Sequence, residues 1–353
     1  MALNADIRRV LVRAPNWIGD AVLSLPAVGA LKDLYPQASI TVLAKNKVTP
    51  VYLHNPAVND IIEYDDKAAH KGIRGRVRLS AAIKERHFEL AVLFQNAFDA
   101  AFIAFISGIP ERAGYARDFR SKLLTRPIEM TREIKKAHQV YYYLNIVKEL
   151  GGSYPERPVP RIYISADEAG WAREFLRKNG IENDVLIGAS PGASYGAAKR
   201  WAPEGFIEVL ARFSKDFNAV PLIFGGTDDA GACKAVSGGI GARHLLLAGE
   251  VSLREFMALL PHIRVFITND SGPMHISAAM GVPTVAIFGS TDPALTGPLG
   301  PEVKALSNGM ECSPCFDREC RFAHYNCLAS IGAEGVYGAA AGFFKAGAEK
   351  WRV

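Results

Sequence analysis

The sequence predicts an α/β protein built as two doubly wound, Rossmann-like domains facing a central cleft. Three observations carry this. Apolar runs of strand length alternate with amphipathic stretches of helix length, the rhythm of βαβ units on a parallel sheet. That rhythm occurs twice, on either side of a Gly- and Pro-rich stretch, GGSYPERPVPR at 151–161. The chain has 353 residues, long for one core and suited to two. The expected division is a first domain over 1–155, a second over 156–335, and a terminal helix, 336–353, that packs back on the first.

In the first series RVLVRA (9–14) is a strand and 20–35 an apolar-periodic helix. Strands follow at 39–44 and 60–64, a helix at 78–87, a strand at 90–94 and a closing helix at 136–150. After the linker come a helix at 166–179, a strand at 185–189, a helix at 203–217 and a strand at 220–224. A short strand at 245–247 and a helix at 252–260 lead to a last strand–helix–strand unit, and the tail 335–351 reads as helix. The most apolar window, 97–110, is too short to span a bilayer and contains Asp99. Asp6, Arg8 and Arg9 lead straight into the first strand, which is unlike a signal peptide, so a cytoplasmic location is expected.

That last unit, TNDSGPMHISAAMGVPTVAIFGSTDP (268–293), is the densest in information. Val265, Phe266 and Ile267 form a strand; Asn269, Asp270 and Ser271 are helix N-cap types, and Pro273 suits a first turn. Gly281 and Pro283 end the helix before a second strand at 284–288. A helix that starts at the carboxyl edge of a parallel sheet points its free amides and positive dipole end at whatever binds there, which favours a phosphate or diphosphate. Asp270 can cap the helix or accept hydrogen bonds from sugar hydroxyls; His275 in the first turn is a packed residue or a neighbour of the phosphate; Thr291 and Asp292 follow on the next loop.

Other loops at strand ends could share this chemistry. In NWIGDAV, Gly19 permits a tight turn and Asp20 opens a helix; the Asp is an N-cap or, facing the cleft, a general base. No G-x-G-x-x-G follows the strand, which argues against a dinucleotide oxidoreductase. PGASYGAAKRW (191–201) offers Pro191, Gly192, Ser194 and Gly196 with Lys199 and Arg200, a phosphate clamp or a plain loop with solvated charges. It is not a P-loop. Gly225, Gly226, Thr227, Asp228 and Asp229 are a turn or a nucleoside contact.

The formal charge of +5 is too mild to imply nucleic acid. The cations group in the first half: Lys67, Lys71, Arg74, Arg76, Arg78, Lys84 and Arg86, then Arg112, Arg117, Arg120, Lys122 and Arg126 among Gly114, Tyr115 and Phe119 in a loop-like segment. Either group is a solvated surface or a site for an anionic substrate or acidic membrane. Cys312, Cys315, Cys320 and Cys327, spaced C-x2-C-x4-C-x6-C, have the number and type for one structural zinc ion, with His324 as a competing ligand; free thiols and redox-labile pairs are the other readings. Cys233 stands apart as a packed residue.

Taken in order, NWIGDAVLSLPA at Asn16, PGASYGAAKRW at Pro191 and NDSGPMHISAAMGVPTVAIFGSTDP at Asn269 resemble the ADP-heptose:lipopolysaccharide heptosyltransferases of glycosyltransferase family 9, and the CSPC and H-x-x-C-L segments at Cys312 and His324 are most similar to type II. The resemblance runs from Arg9 to the terminal helix. It implies a GT-B fold, an ADP-activated L-glycero-D-manno-heptose donor, inversion at the anomeric carbon and no catalytic metal or required cofactor. It assigns Asp20 as the base toward the acceptor hydroxyl and Lys199 as the cation on the leaving ADP. Asp270 would hold the heptose, the amides of Ser271, Gly272, Met274 and His275 around Pro273 the diphosphate, with Ser194 beside it and Thr227 near the nucleoside. Some family members carry a Glu after the third loop's glycine; here Thr227, Asp228 and Asp229 stand there. The implied acceptor is the lipopolysaccharide inner core, Kdo2–lipid A bearing heptose I, with Arg112, Arg117, Arg120 and Lys122 as its anion contacts at the cytoplasmic face of the inner membrane. The alternatives are a nucleotide-sugar epimerase of the same fold, a family member with another acceptor or linkage, and a catalytically silent sugar-nucleotide binder.

Overall fold

The computed structural model describes residues 6–347. The chain divides into two compact units after Tyr163, where the sequence placed the boundary after residue 155. The first unit runs β1 (Arg9–Arg13), α1 (Ile18–Leu34), β2 (Ser39–Ala44), β3 (Asp60–Glu63), α2 (Gly72–Lys84), β4 (Leu90–Leu93), α3 (Phe98–Ile106), β5 (Glu111–Tyr115), β6 (Arg126–Ile128), α4 (Arg132–Lys136) and α5 (Gln139–Glu149). Its described strands form one six-stranded parallel sheet in the order β3-β2-β1-β4-β5-β6. Val10, Leu11 and Val12 are buried at its centre, as expected of a parallel strand covered on both faces.

The second unit runs α6 (Ala166–Lys178), β7 (Val185–Ser190), α7 (Pro203–Phe217), β8 (Ala219–Ile223), α8 (Ala230–Gly239), β9 (Leu245–Leu246), α9 (Leu253–Leu259), β10 (Ile263–Asn269), α10 (Gly272–Ala279), β11 (Thr284–Phe288), α11 (Pro293–Thr296), β12 (Val303–Ser307), α12 (Asn326–Ala329) and α13 (Ala333–Gly347). Its sheet is also six-stranded, ordered β12-β11-β10-β7-β8-β9. Read from its first strand outward, this is the same doubly wound order as in the first unit. Reciprocal caps fix two helix starts: Ser165 with Glu168 on α6 and Ser252 with Glu255 on α9.

Several elements differ from expectation. Helix α2 begins at Gly72, a turn and more before residue 78, because Gly75, Leu79 and Ile83 keep one face buried. Gly75 is what allows it, since a Cβ there would lie 2.3 Å from the His70 carbonyl carbon. The apolar window at 97–110 contains α3, which packs beside α2. The loop-like segment after it contains β5 and β6, which pair in parallel at the edge of the sheet despite their Arg and Gly content. Helix α13 packs within the second unit. Val336, Ala340 and Phe344, at helical spacing, complete the second core against α7, β10 and β11, while residues 348–353 lie outside the described residues.

Candidate active site

A doubly wound sheet has one point where the chain's direction of winding reverses, and loops leaving the adjacent strands diverge there. In the second unit that point lies between β7 and β10, and in the first between β1 and β4. The segments carrying Asp20, Lys199 and Asp270 leave β1, β7 and β10.

In the second unit β10 ends in Asn269, whose buried amide is used on both sides. Its Oδ1 accepts from the Trp201 amide at 3.1 Å and its Nδ2 donates to the Pro191 carbonyl at 2.7 Å. One side chain thus clamps both ends of the 191–201 loop that leaves β7. Within that loop, Lys199 Nζ lies 2.6 Å from Asp270 Oδ2 and 4.7 Å from the centre of the Tyr195 ring. Asp270 is 4% exposed, and its Oδ2 also accepts a short hydrogen bond from the Thr291 hydroxyl. Such a buried pair is kept only if its remaining hydrogen-bonding capacity is met, which Thr291 and the Tyr195 ring help to do.

Asp270 is followed by α10. Its N-cap, Ser271, is extended and makes no side-chain cap bond; the hydroxyl donates instead to the Asn269 carbonyl at 3.3 Å. The amides of the first turn therefore carry no side-chain cap, and the dipole end lies directly after the Asp270 carboxylate. Gly272 and Pro273 are half-buried, whereas the Met274 side chain packs under Phe288 and Ala286, so only its backbone can meet a ligand. His275 is buried at 6% exposure. Ser194 and Thr227 are exposed, on the 191–201 loop and on the turn after β8. Asp229 is committed to that turn, its Oδ2 accepting from the Gly226 amide at 3.3 Å.

The cysteine segment braces this site. The Phe316 amide donates to the Ser290 carbonyl at 2.7 Å, the Tyr195 hydroxyl to the Phe316 carbonyl at 2.7 Å, and the Ala198 amide to the Arg318 carbonyl at 3.0 Å. Gly196 is required here, because a Cβ would stand 2.2 Å from the Arg318 oxygen. The thiols of Cys312, Cys315, Cys320 and Cys327 are free and line one cavity of about 20 Å³ with His324, room for roughly one water. Backbone amides, that of Tyr325 foremost, hold the Cys320 thiol below its ordinary pKa, and burial raises that of Cys327. Of the readings open for these cysteines, the arrangement favours free thiols over a structural zinc: among the described residues no three His, Cys, Asp or Glu side chains are arranged to hold a metal ion. The turns at Phe316, Ala323 and Tyr325, all with positive φ, bring the thiols to one cavity without gathering them about one centre.

In the first unit Asp20 stands in the first turn of α1, half-buried, and the Tyr143 hydroxyl of α5 donates to its Oδ1 at 3.1 Å. The preceding loop is tied down by Arg13, whose Nη2 donates to Asn16 Oδ1 at 2.9 Å, and by Gln95, whose Oε1 accepts from the Asn16 amide at 3.1 Å.

The four cations expected to meet an anionic acceptor separate into two kinds. Arg120 is fully buried: it donates to the Tyr115 carbonyl and to Asn96 Oδ1, each at 2.9 Å, and makes a short bond to the Gln95 carbonyl. Burial lowers its pKa to about 10. Its expected place among the acceptor contacts is corrected on that ground, since it ties β4 and β5 together. Arg112 is bound to the backbone at Leu123 (2.7 Å) and Pro110 (3.2 Å), with its guanidinium 5.5 Å from the Phe105 ring centre. Arg117 and Lys122 are exposed, beside Phe119, which is 98% exposed.

Tyr195 and Tyr143 were not singled out from the sequence, and Asn269 was read only as a helix N-cap type. Asn269 sits beside Asp270 in the motif and its amide could have suggested a clamp; Tyr143 is 123 positions from Asp20, and nothing local marks it.

Residues 76–326, more than half of the chain, match the model of glycosyltransferase family 9 (heptosyltransferase). Lipopolysaccharide heptosyltransferase 2 of Escherichia coli K12 is 28% identical over 308 residues, covering 84% of this chain and 87% of that protein. Lipopolysaccharide heptosyltransferase 1 of Pseudomonas aeruginosa is 22% identical over 89% of this chain and 88% of that protein, and lipopolysaccharide heptosyltransferase 3 of E. coli 25% over 78% and 81%. The solved E. coli ADP-heptose lipopolysaccharide heptosyltransferase II superposes with a TM-score of 0.81 at 25% identity over 96% of this chain and 99% of that one. A family 9 glycosyltransferase from Veillonella parvula gives 0.90 at 24% identity over 98% and 100%. With its two Rossmann-like units of the GT-B fold, the chain belongs to glycosyltransferase family 9, the heptosyltransferases.

Proposed function

We propose that this heptosyltransferase moves L-glycero-D-manno-heptose from ADP-heptose to heptose I of the lipopolysaccharide inner core, with inversion at the anomeric carbon. The observation that carries the donor side is the buried Lys199–Asp270 pair at the start of an α10 that has no side-chain cap. A sugar diphosphate brings negative charge that grows on the leaving oxygen as the C1–O bond breaks. A fixed ammonium and the positive end of the α10 dipole stabilise that charge in the transition state. Asp270 holds heptose hydroxyls with its remaining acceptor sites, and Ser194 and Thr227 contact diphosphate and nucleoside.

On the acceptor side Asp20 takes the proton of the attacking hydroxyl as the new O–C1 bond forms and ADP departs. Arg117 and Lys122 hold anionic groups of the core, Kdo2–lipid A carrying heptose I. The enzyme works as a peripheral protein on the cytoplasmic face of the inner membrane; no described helix is long and apolar enough to cross one.

The test is incubation with ADP-heptose and a defined heptose-I acceptor, read by mass. One added heptosyl unit supports the proposal, and isomerisation of donor alone would make the protein an epimerase instead. A second reading, transfer within the same family to another core acceptor, is favoured by the relatives named heptosyltransferase 1 and 3. Parallel incubation with Kdo2–lipid A lacking heptose separates it from the first.

A further inference from the structure

Asp20 lies on α1, and α5 packs along that helix. From α5 the Tyr143 side chain reaches it. Tyr143 is 3% exposed, and its ring is held edge-on by Phe94 at 5.4 Å and by Tyr142 at 5.1 Å between centroids. Its hydroxyl lies 3.1 Å from Asp20 Oδ1 and 3.4 Å from Gln139 Nε2. The directions follow from valence. An ionised carboxylate only accepts, so the hydroxyl proton points at Asp20, and the amide of Gln139 donates to the hydroxyl's free lone pair. Burial, then the charge of Asp20, pushes the Tyr143 pKa far up, so the hydroxyl keeps its proton in this place. Two further hydroxyls sense Asp20: Tyr142 on α5, pushed up to about 12 by burial, and Tyr52, raised by burial while bonded to Ser24 one turn along α1.

We infer that Tyr143 is a positioning residue for the transfer reaction: it fixes the orientation of the Asp20 carboxylate and, by hydrogen-bonding its charged form, sets how basic that carboxylate is. The inference rests on the reading of Asp20 as the acceptor-side base. A base must be held so that one oxygen faces the substrate proton, and a donor on Oδ1 restricts how the carboxylate can turn. A carboxylate that rotates away loses the alignment on which in-line attack depends. The same bond favours the ionised form of the carboxylate over the protonated one.

The sign of the test follows. Tyr143→Phe keeps the packed ring and removes only the hydroxyl. The kcat is expected to fall on the order of 10- to 100-fold, with KM for both substrates and the melting temperature near those of the parent. The acid limb of the kcat–pH profile should move to higher pH, because Asp20 without its donor protonates more readily. Gln139→Leu should move kcat and the limb the same way by less. Asp20→Asn is measured alongside. If Asp20→Asn is inactive and Tyr143→Phe leaves kcat and the acid limb in place, Asp20 remains the base and the positioning role is wrong. A Tyr143→Phe variant that only melts earlier, with its limb unmoved, overturns it equally. If Asp20→Asn retains transfer, the reading of Asp20 itself fails and takes this inference with it.

Discussion

The two switch points differ in how their charged side chains are held. At the second, Lys199, Asp270 and Thr291 form a buried set, and Asn269 secures the loop that carries the cation. At the first, Asp20 is half-buried in the first turn of α1, and its Oδ1 accepts from the Tyr143 hydroxyl. The contrast fits the two halves of a glycosyl transfer. Charge accumulates on the diphosphate and is met best by a site organised in advance, whereas proton removal from an alcohol needs an oxygen that substrate can reach.

Breaking each side should therefore give a different kind of failure. Asp20→Ala has the largest expected effect on turnover, a loss of about 10²- to 10⁴-fold in transfer with ADP affinity nearly unchanged by calorimetry. Lys199→Ala should fail in both respects. Transfer is lost, and thermal or denaturant unfolding should show a destabilisation of about 3–5 kcal/mol, because Asp270 is left buried without its cation. Combining Lys199→Met with Asp270→Asn sharpens the point: stability should largely return and transfer should not. Arg120→Met, which touches neither switch-point charge directly, should cost about 3 kcal/mol or more of stability by leaving the Gln95, Tyr115 and Asn96 acceptors unpaired. Arg117→Glu with Lys122→Glu has the smallest expected effect. Stability should change by no more than about 0.5 kcal/mol, while acceptor KM rises and donor KM holds; unchanged acceptor kinetics would remove these residues from the acceptor site.

Much of this was readable from sequence because parallel strands are continuous apolar runs, and the loops that follow them mark a sheet's carboxyl edge. The segments at Asp20, Lys199 and Asp270 were found in that way. What was missed depends on long-range partners. Arg120 looks like any other member of a basic loop until the Gln95 and Tyr115 carbonyls are placed around it. Strands β5 and β6 have weak local signals and exist because β4 offers an edge to pair with. Four closely spaced cysteines predict nearness, but whether they converge on one centre is decided by the turns between them.

The Asn269 clamp has a consequence for when electrostatic work is done. A loop held at Pro191 and at Trp201 by one amide cannot carry Lys199 after a departing anion. In the donor role proposed for it, the ammonium is then a stationary pole, oriented as the chain folds. Release of product must then come from the nucleotide's own motion or from solvent entering the site, so the step after chemistry is where this half of the enzyme should be slow.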